Sequence, residues 1–287
     1  MSKYYVLYNP KSRSNSGKTT AEGLKSYAGE REFTLCDVTE IKDMKAFLSK
    51  VEEGDAVVIC GGDGTLNRFA NDTDYSDLPD ELYFASAGTG NDFLNDIGKK
   101  PEDGPIPVKK YLEKLPKVTV KGKEYKFING IGFGIDGYCC EVGDKMREKS
   151  DKPVNYTSIA IKGLLFHFKP RNAKVTVDGV TKVFNKVWIA PTMNGRYYGG
   201  GMIATPGQDR LNNDEVSAMV MYGKGRLKTL MVFPSIFKGE HVKHTDMVEV
   251  VKGKEIKVEF DAPTALQIDG ETFLDVTEYS VKAYSEK

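Results

Sequence analysis

The chain carries no excess of charge: 41 Lys and Arg stand against 41 Asp and Glu in 287 residues. That balance gives no long-range field for a polyanion. It argues against a nucleic-acid partner and against strong adhesion to an anionic membrane by bulk charge. No apolar run approaches the roughly 20 residues of a spanning helix, so no transmembrane segment is expected. Cysteines are few, Cys36, Cys60, Cys139 and Cys140, with no Cys-x-x-Cys spacing. Cys36 and Cys60 fall in strand-like apolar runs, and reduced buried thiols of a cytoplasmic protein are the simplest account. His167, His241 and His244 are the only histidines and form no metal-ligand constellation; His167 reads as part of a packed helix. The N-terminus enters a strand at once, which leaves no room for a signal peptide. Internal repeats and low-complexity tracts are absent.

What is present is glycine at strand ends. The apolar run Ala56-Val57-Val58-Ile59-Cys60 leads into Gly61-Gly62-Asp63-Gly64-Thr65-Leu66-Asn67. Glycines let backbone N–H groups approach an anion, and a helix starting there adds partial positive charge. Asp63 is repulsive beside phosphates unless it holds a metal or accepts a proton, so it suggests Mg²⁺ with a nucleotide. A plain tight turn is the competing reading. A second strand, Leu82-Tyr83-Phe84-Ala85, runs into Ala87-Gly88-Thr89-Gly90-Asn91-Asp92-Phe93, and Tyr4 to Tyr8 runs into Asn9-Pro10 and a Ser-rich loop. In open α/β sheets ligands sit outside the carboxyl ends of strands, where such loops converge. Gly17-Lys18-Thr19 suggests a P-loop, but Ser12 occupies the position that needs glycine.

The pair Gly-Gly-Asp-Gly-Thr and Gly-Thr-x-Asn-Asp-Phe, at 61–65 and 88–93, resembles the diacylglycerol kinase catalytic domain family, of the soluble bacterial lipid kinase type. Asn9-Pro10, Asn194-Gly195, Tyr197 to Gly201 and Asp269-Gly270-Glu271 extend the resemblance over almost the whole chain. Gly-Gly-Asp-Gly alone is shared with NAD kinases and phosphofructokinases; the second loop and Asp-Gly-Glu distinguish this family. The resemblance implies an N-terminal Rossmann-like parallel α/β nucleotide domain, a C-terminal antiparallel β-sandwich domain, and an active site in the cleft between them. It implies ATP contacts from Asn9, Thr39, Gly61, Gly62, Asp63, Gly64, Thr65, Leu66, Asn67 and Thr89. A helix N-cap is the rival role for Thr39. It also implies a structural Mg²⁺ on Leu211, Asp214 and Val216, although Glu215 stands where a glycine is usual, which matters if that residue needs positive φ.

The chain exceeds the usual size of one core, so two domains are expected. Strands near 4–8, 33–37, 55–60 and 82–85, with helices near 18–27, 41–52 and from 65, have the spacing of βαβ units. A break at 101–105 and a helix around 107–115 follow. We place the first domain at 1–120 and the second at 121–277, with the last strand near 278–287 free to return to the first. Beyond 116, strands are expected at 117–120, 126–131, 174–177, 183–190, 216–222, 247–251, 256–260 and 279–284, and helices near 155–167 and 226–238. Lys121-Gly122, Asp178-Gly179 and Lys252-Gly253 mark turns.

Phosphoryl transfer needs held phosphates, a divalent metal and an acceptor for the alcohol proton. The resemblance points to Glu271 as base, with Asp269 and Asp63 as the other carboxylates; locally, Asp269-Gly270-Glu271 between Ala265–Ile268 and Phe273–Val276 is an ordinary hairpin. The function expected is ATP- and Mg²⁺-dependent phosphorylation of a lipid hydroxyl, diacylglycerol to phosphatidic acid. The rivals are a kinase of the same superfamily acting on a soluble substrate such as NAD, and a nucleotide-binding regulator without turnover. A lipid acceptor requires transient visits to a membrane surface. The basic, apolar stretch 226–238 is the candidate contact, with Phe233 and Phe237 as test positions and a core-packed helix as the alternative. A homodimer is compatible with this reading.

Overall fold

The computed structural model describes residues 1–10, 17–88, 90–150, 154–211 and 214–284. Two compact units emerge, Met1–Lys114 and Leu115–Lys287.

The first unit is built on five strands: β1 Lys3–Tyr8, β2 Glu32–Asp37, β3 Ala56–Gly61, β4 Glu81–Ser86 and β5 Ile106–Pro107. They lie in the order β2-β1-β3-β4-β5. The first four are mutually parallel, and β5 adds antiparallel to β4. Every residue of β3 is buried, as befits the central strand of a sheet covered on both faces. The connecting helices are α1 Gly17–Gly23, α2 Met44–Leu48 and α3 Asp63–Asp72. α2 is shorter than the expected 41–52 because Asp43, not an earlier residue, caps it, its side chain accepting from the Ala46 N–H at 2.9 Å. α4 Asp92–Asp96 follows the second glycine loop. α5 is only Lys109–Leu112, since 106–107 is taken by the edge strand.

The second unit starts at Leu115, ahead of the expected 120/121 boundary. The reason is β6, Lys117–Val120, which pairs with a C-terminal strand of this unit. One ten-stranded antiparallel sheet contains β6, β7 Lys123–Lys126, β8 Gly130–Gly134, β9 Arg171–Val177, β10 Val180–Val187, β11 Ile189–Met193, β14 Val216–Met221, β15 Val248–Gly253, β16 Glu255–Ile268 and β17 Glu271–Lys282. β12 Tyr197–Tyr198 and β13 Met202–Ile203 make a small separate hairpin. β16 fuses two expected strands: its first half pairs with β9, its second with β8, and β17 runs along its other side. The register shifts between Glu259 and Leu266, around Pro263, which has no N–H for the ladder. The last strand, β17, stays in this sheet with β16 and β6 rather than returning to the first unit. The expected strand 183–190 is divided between the end of β10 and the start of β11, and within β10 the register shifts between Phe184 and Val187, where Lys186 takes a left-handed φ of 55°.

A helix absent from the sequence expectation, α6 Ile135–Arg147, leaves β8 directly. Its approach is set by Gly137, where a Cβ would lie 2.1 Å from the Ala265 carbonyl oxygen of β16. α7 Tyr156–Lys162 continues as a π-helical turn Gly163–His167, and α8 Arg226–Val232 as a 3₁₀ turn Phe233–Lys238. One core lies among the strands, around Phe133, Phe184, Leu266 and Tyr279. The other lies beneath the helices, around Ile135, Trp188, Met219 and Ile236. The cysteines are free thiols; Cys60 is buried and pushed up to about 12, which keeps it inert. His167 is in the helix as expected, but its side chain is exposed.

Candidate functional site

In the first unit the chain passes from β1 outward to β2 and then back across to β3. The connections therefore diverge between β1 and β3, and the crevice for a ligand lies at their carboxyl ends. Asn9 follows β1 directly and is half-buried, while Gly61 ends β3, so these two expected contacts flank the crevice. Thr39 follows the neighbouring β2. Its N–H and hydroxyl both donate to Oδ1 of Asp37, at 2.8 and 2.7 Å, so it shapes the turn and caps no helix. Thr89 and the Ser-rich loop 11–16 lie outside the described residues.

The two glycine loops are locked together. The Gly61 carbonyl accepts from the Ala87 N–H at 2.8 Å. A Cβ on Gly88 would stand 2.8 Å from Cα of Gly62, closer than side chains allow, so this approach of the two backbones requires glycine at 88, whereas a Cβ on Gly62 would meet Cα of Gly88 at an ordinary 3.5 Å. Asp63 opens α3, and its Oδ2 accepts from the Phe93 N–H at 3.2 Å, tying the first loop to the start of α4. Gly62 gives α3 no side-chain cap; the Thr65 and Leu66 N–H groups donate to the Gly62 carbonyl at 2.9 and 3.2 Å, and Gly64, in the first turn of this ten-residue helix, is exposed. Thr65 lies over Gly61, where a Cβ would meet its Oγ1 at 2.3 Å. Leu66 is fully buried and packs in the core, and Asn67 is buried and accepts from Asn71. Those two residues build the helix rather than present side chains to a ligand.

In the second unit Asp269 and Gly270 take left-handed φ values of 46° and 90°, the two central residues of a tight hairpin between β16 and β17. The Asp269 carboxylate accepts three backbone N–H groups: Ile128 at 2.5 Å, and Asn129 and Gly130 at 2.9 Å each. Its own N–H donates to the Gly130 carbonyl at 3.0 Å. On the other side of this segment, the Ile128 carbonyl accepts from Asn194 Nδ2 at 2.9 Å and Arg210 Nη1 at 3.1 Å. Arg210 also donates to Oδ1 of Asn129 at 2.9 Å, and Asn129, Asn194 and Arg210 are all buried. Asp269 is thus committed to holding the backbone. Glu271, the next carboxylate, is exposed and makes no hydrogen bond or ion pair among the described residues. Sequence reading singled out Asn194-Gly195 and Asp269 but missed Asn129 and Arg210, because their meeting depends on residues some 80 positions apart.

Leu211 and Asp214 are exposed, and Val216 is buried at the start of β14, paired with Gly253. Asn212 and Asn213 lie outside the described residues. Glu215 does not have a left-handed φ, so the glycine that is usual there is not required. Its carbonyl accepts from buried Gln208 at 3.0 Å. Two backbone carbonyls and one carboxylate are an oxygen-only set, suited to Mg²⁺ with water completing the shell. No group of three or more His, Cys, Asp or Glu able to hold a metal occurs among the described residues.

Along 226–238, Phe233 is buried at 8% exposure and Ile236 completely, whereas Leu227 and Met231 are 73% and 70% exposed. Phe233 is therefore a core residue and not a surface contact. Phe166, on the adjoining π-helical turn, is 69% exposed, and Arg226 ties the two elements through the Leu164 carbonyl at 2.8 Å. Beside them, α6 and α7 border a mostly apolar groove of about 260 Å³ that includes Val142, Met146 and Ile159. No helix among the described residues is long and apolar enough to cross a membrane.

Comparison with known proteins gives two successive domain matches, the first of which runs on through β6. The diacylglycerol kinase catalytic domain profile matches residues 3–120, and the YegS C-terminal NAD kinase β-sandwich-like domain profile matches 129–280. A diacylglycerol kinase of Mycobacterium tuberculosis is 27% identical over 268 residues, covering 90% of this chain and 85% of the relative. A diacylglycerol kinase of Bacillus subtilis is 22% identical, covering 94% and 90%. A crystal structure of a diacylglycerol kinase from Bacillus anthracis shares the fold, with a TM-score of 0.62 at 18% identity, covering 99% of this chain and 94% of that one.

The different states of Asp269 and Glu271 predict different losses. Asp269→Ala leaves three backbone donors without their acceptor, and an unmet buried donor costs about 1–3 kcal/mol, so unfolding should shift by several degrees. Glu271→Gln should melt as wild type does. Equal melting of Asp269→Ala and wild type, followed by circular dichroism, would remove Asp269 from its holding role.

Proposed function

We propose, from the premise that this chain belongs to the diacylglycerol kinase family, that it transfers the γ-phosphoryl group of ATP to a lipid hydroxyl, diacylglycerol to phosphatidic acid. The observation that carries this reading is the clasp of two glycine loops at the strand ends, Gly61–Gly64 and Gly88, beside the β1/β3 crevice. The N–H groups at the start of α3 receive phosphate oxygens, and Asn9 and Thr39 border the nucleotide. Mg²⁺, when bound, would offset the charge of the phosphates. Asp63 keeps the two loops in register through the Phe93 N–H. Glu271 takes the proton of the lipid hydroxyl as its oxygen bonds to phosphorus and the bond to the ADP oxygen breaks. Asp269 holds the hairpin that presents Glu271.

Phosphatidic acid should form from diacylglycerol in mixed micelles with ATP and Mg²⁺, and Glu271→Gln should lower kcat by roughly 10²-fold with little change in ATP affinity. Phosphorylation of NAD instead of any lipid would overturn the substrate assignment.

The acceptor stays in its bilayer, because each buried CH₂ holds it there by about 0.8 kcal/mol. Leu227, Met231 and Phe166, with Lys162 and Lys228 beside them, form the face that would dock on lipid. Met231→Asp and Phe166→Asp should each cut turnover on micellar substrate several-fold while ATP binding and melting persist. Unchanged rates in both would exclude this face.

Asp214→Ala tests the structural ion. Millimolar Mg²⁺ should raise the melting temperature of wild type more than that of the variant, and equal responses would count against a site on Leu211, Asp214 and Val216.

A further inference from the structure

Outside the residues discussed above, one buried carboxylate stands out. Asp136, in the first turn of α6, is 7% exposed. Its Oδ1 accepts from the Gly137 N–H at 2.9 Å, whereas Oδ2 is buried and makes no hydrogen bond. A Cβ on Gly132 of β8 would stand 2.7 Å from this Oδ2, so the carboxylate occupies the space of the side chain that Gly132 lacks. Gly132 is directly opposite Gln267 of β16. Side chains at such positions share a face, with Cβ atoms about 5 Å apart. Oδ2 therefore lies beside the Gln267 side chain.

Gln267 is itself 4% exposed, and its two ends differ. Oε1 accepts from the Gly270 N–H at 2.9 Å, inside the hairpin turn. Nε2 is buried and makes no hydrogen bond at standard length. An amide with its acceptor committed to the turn and its donor facing a carboxylate oxygen is a two-ended link. We propose that Asp136 is a positioning residue for the Asp269–Gly270–Glu271 turn, acting through the Gln267 amide; its effect on turnover rests on the kinase reading above.

The ionised carboxylate attracts Nε2–H and fixes the amide the way round that leaves Oε1 for Gly270. Protonated, Oδ2 carries an O–H that competes for Oε1, and the turn loses its anchor one residue before Glu271. The titratable groups facing Asp136 are Tyr198 of β12, Tyr279 of β17, and Cys139 and Cys140 of α6. Burial raises all four well above neutrality, so each is neutral at pH 7. Burial also pushes Asp136 up to about 7, only partly opposed by the Gly137 N–H and the Gln267 amide. The change of state thus falls close to neutral pH.

The signs of two effects follow. Asp136 binds its proton more tightly folded than unfolded, so its contribution to stability is full below about pH 4 and is lost as pH rises through about 7. Asp136→Asn, always neutral, should gain several degrees of melting temperature over wild type between pH 4 and pH 8. Function should run the other way, with the anchored turn favoured above pH 7. Exchange protection of the Gly270 amide, corrected for intrinsic rate, should rise about tenfold in wild type from pH 6 to 8 and stay flat in Asp136→Asn. The kcat for diacylglycerol should show the same rise in wild type and lose it in the variant, with KM for ATP unchanged. Gln267→Leu should flatten both profiles, and adding it to Asp136→Asn should cost nothing further; it serves equally if Asp136→Asn does not fold. A wild-type profile in both variants, or Gly270 protection independent of pH in wild type, overturns the proposal. Absence of any lipid phosphorylation by wild type would defeat the kinase reading, while the exchange experiment would still report on Asp136.

Discussion

The carboxylate of Asp269 gathers the N–H groups of Ile128, Asn129 and Gly130, and much of the second unit depends on that grip. Backbone donors entering a buried strand must be matched, and on the β16 side the ladder with β8 starts only at Ile131. The aspartate supplies acceptors for three of them from a hairpin tip. Arg210 and Asn194 then secure the carbonyl side of the same segment. Fixed from both sides, β8 is held where α6 can leave it and press on β16. The hairpin tip is held in turn, so Glu271 projects from an anchored turn rather than a loose loop.

The division of labour between adjacent carboxylates follows from geometry. Asp269 has a left-handed φ and turns its side chain back toward the strand entry, while Glu271 is already in β17 and points to solvent. Two acidic residues separated by one glycine thus meet different surroundings. A similar division holds in the first unit, where Asp63 joins the glycine loops and Leu66 and Asn67 face inward. A motif of seven consecutive residues combines ligand-facing backbone with core-facing side chains because it straddles the start of a helix.

What was legible in the sequence was local. The strands Lys3–Tyr8 and Ala56–Gly61 announce themselves as apolar runs ended by Asn-Pro or glycine, and the parallel sheet follows from their spacing. The Asp269-Gly270 turn is a common hairpin signal. Helix α6 was hidden because Gly130, Gly132, Gly134 and Gly137 suppress every helical signal at its start. Those glycines are there for close packing, at Gly137 against the Ala265 carbonyl. Period alone could not orient 226–238 either, since Leu227, Met231, Phe233 and Ile236 put apolar residues on both sides of it. The grip of Asp269 on Ile128 spans 141 positions, and no local pattern encodes it.

The hairpin of β16 and β17 also bears on how the chain reaches its native state. These are the two longest strands, of 14 and 12 residues, joined by two turn residues and contiguous in sequence. Their pairing closes almost no loop, whereas the Asp269 grip on Ile128 must close one of well over a hundred residues. Loop-closure entropy places the cheap contact before the expensive one. The turn that presents Glu271 is thus defined by neighbours in the chain, and its final anchoring waits for segments synthesised long before it.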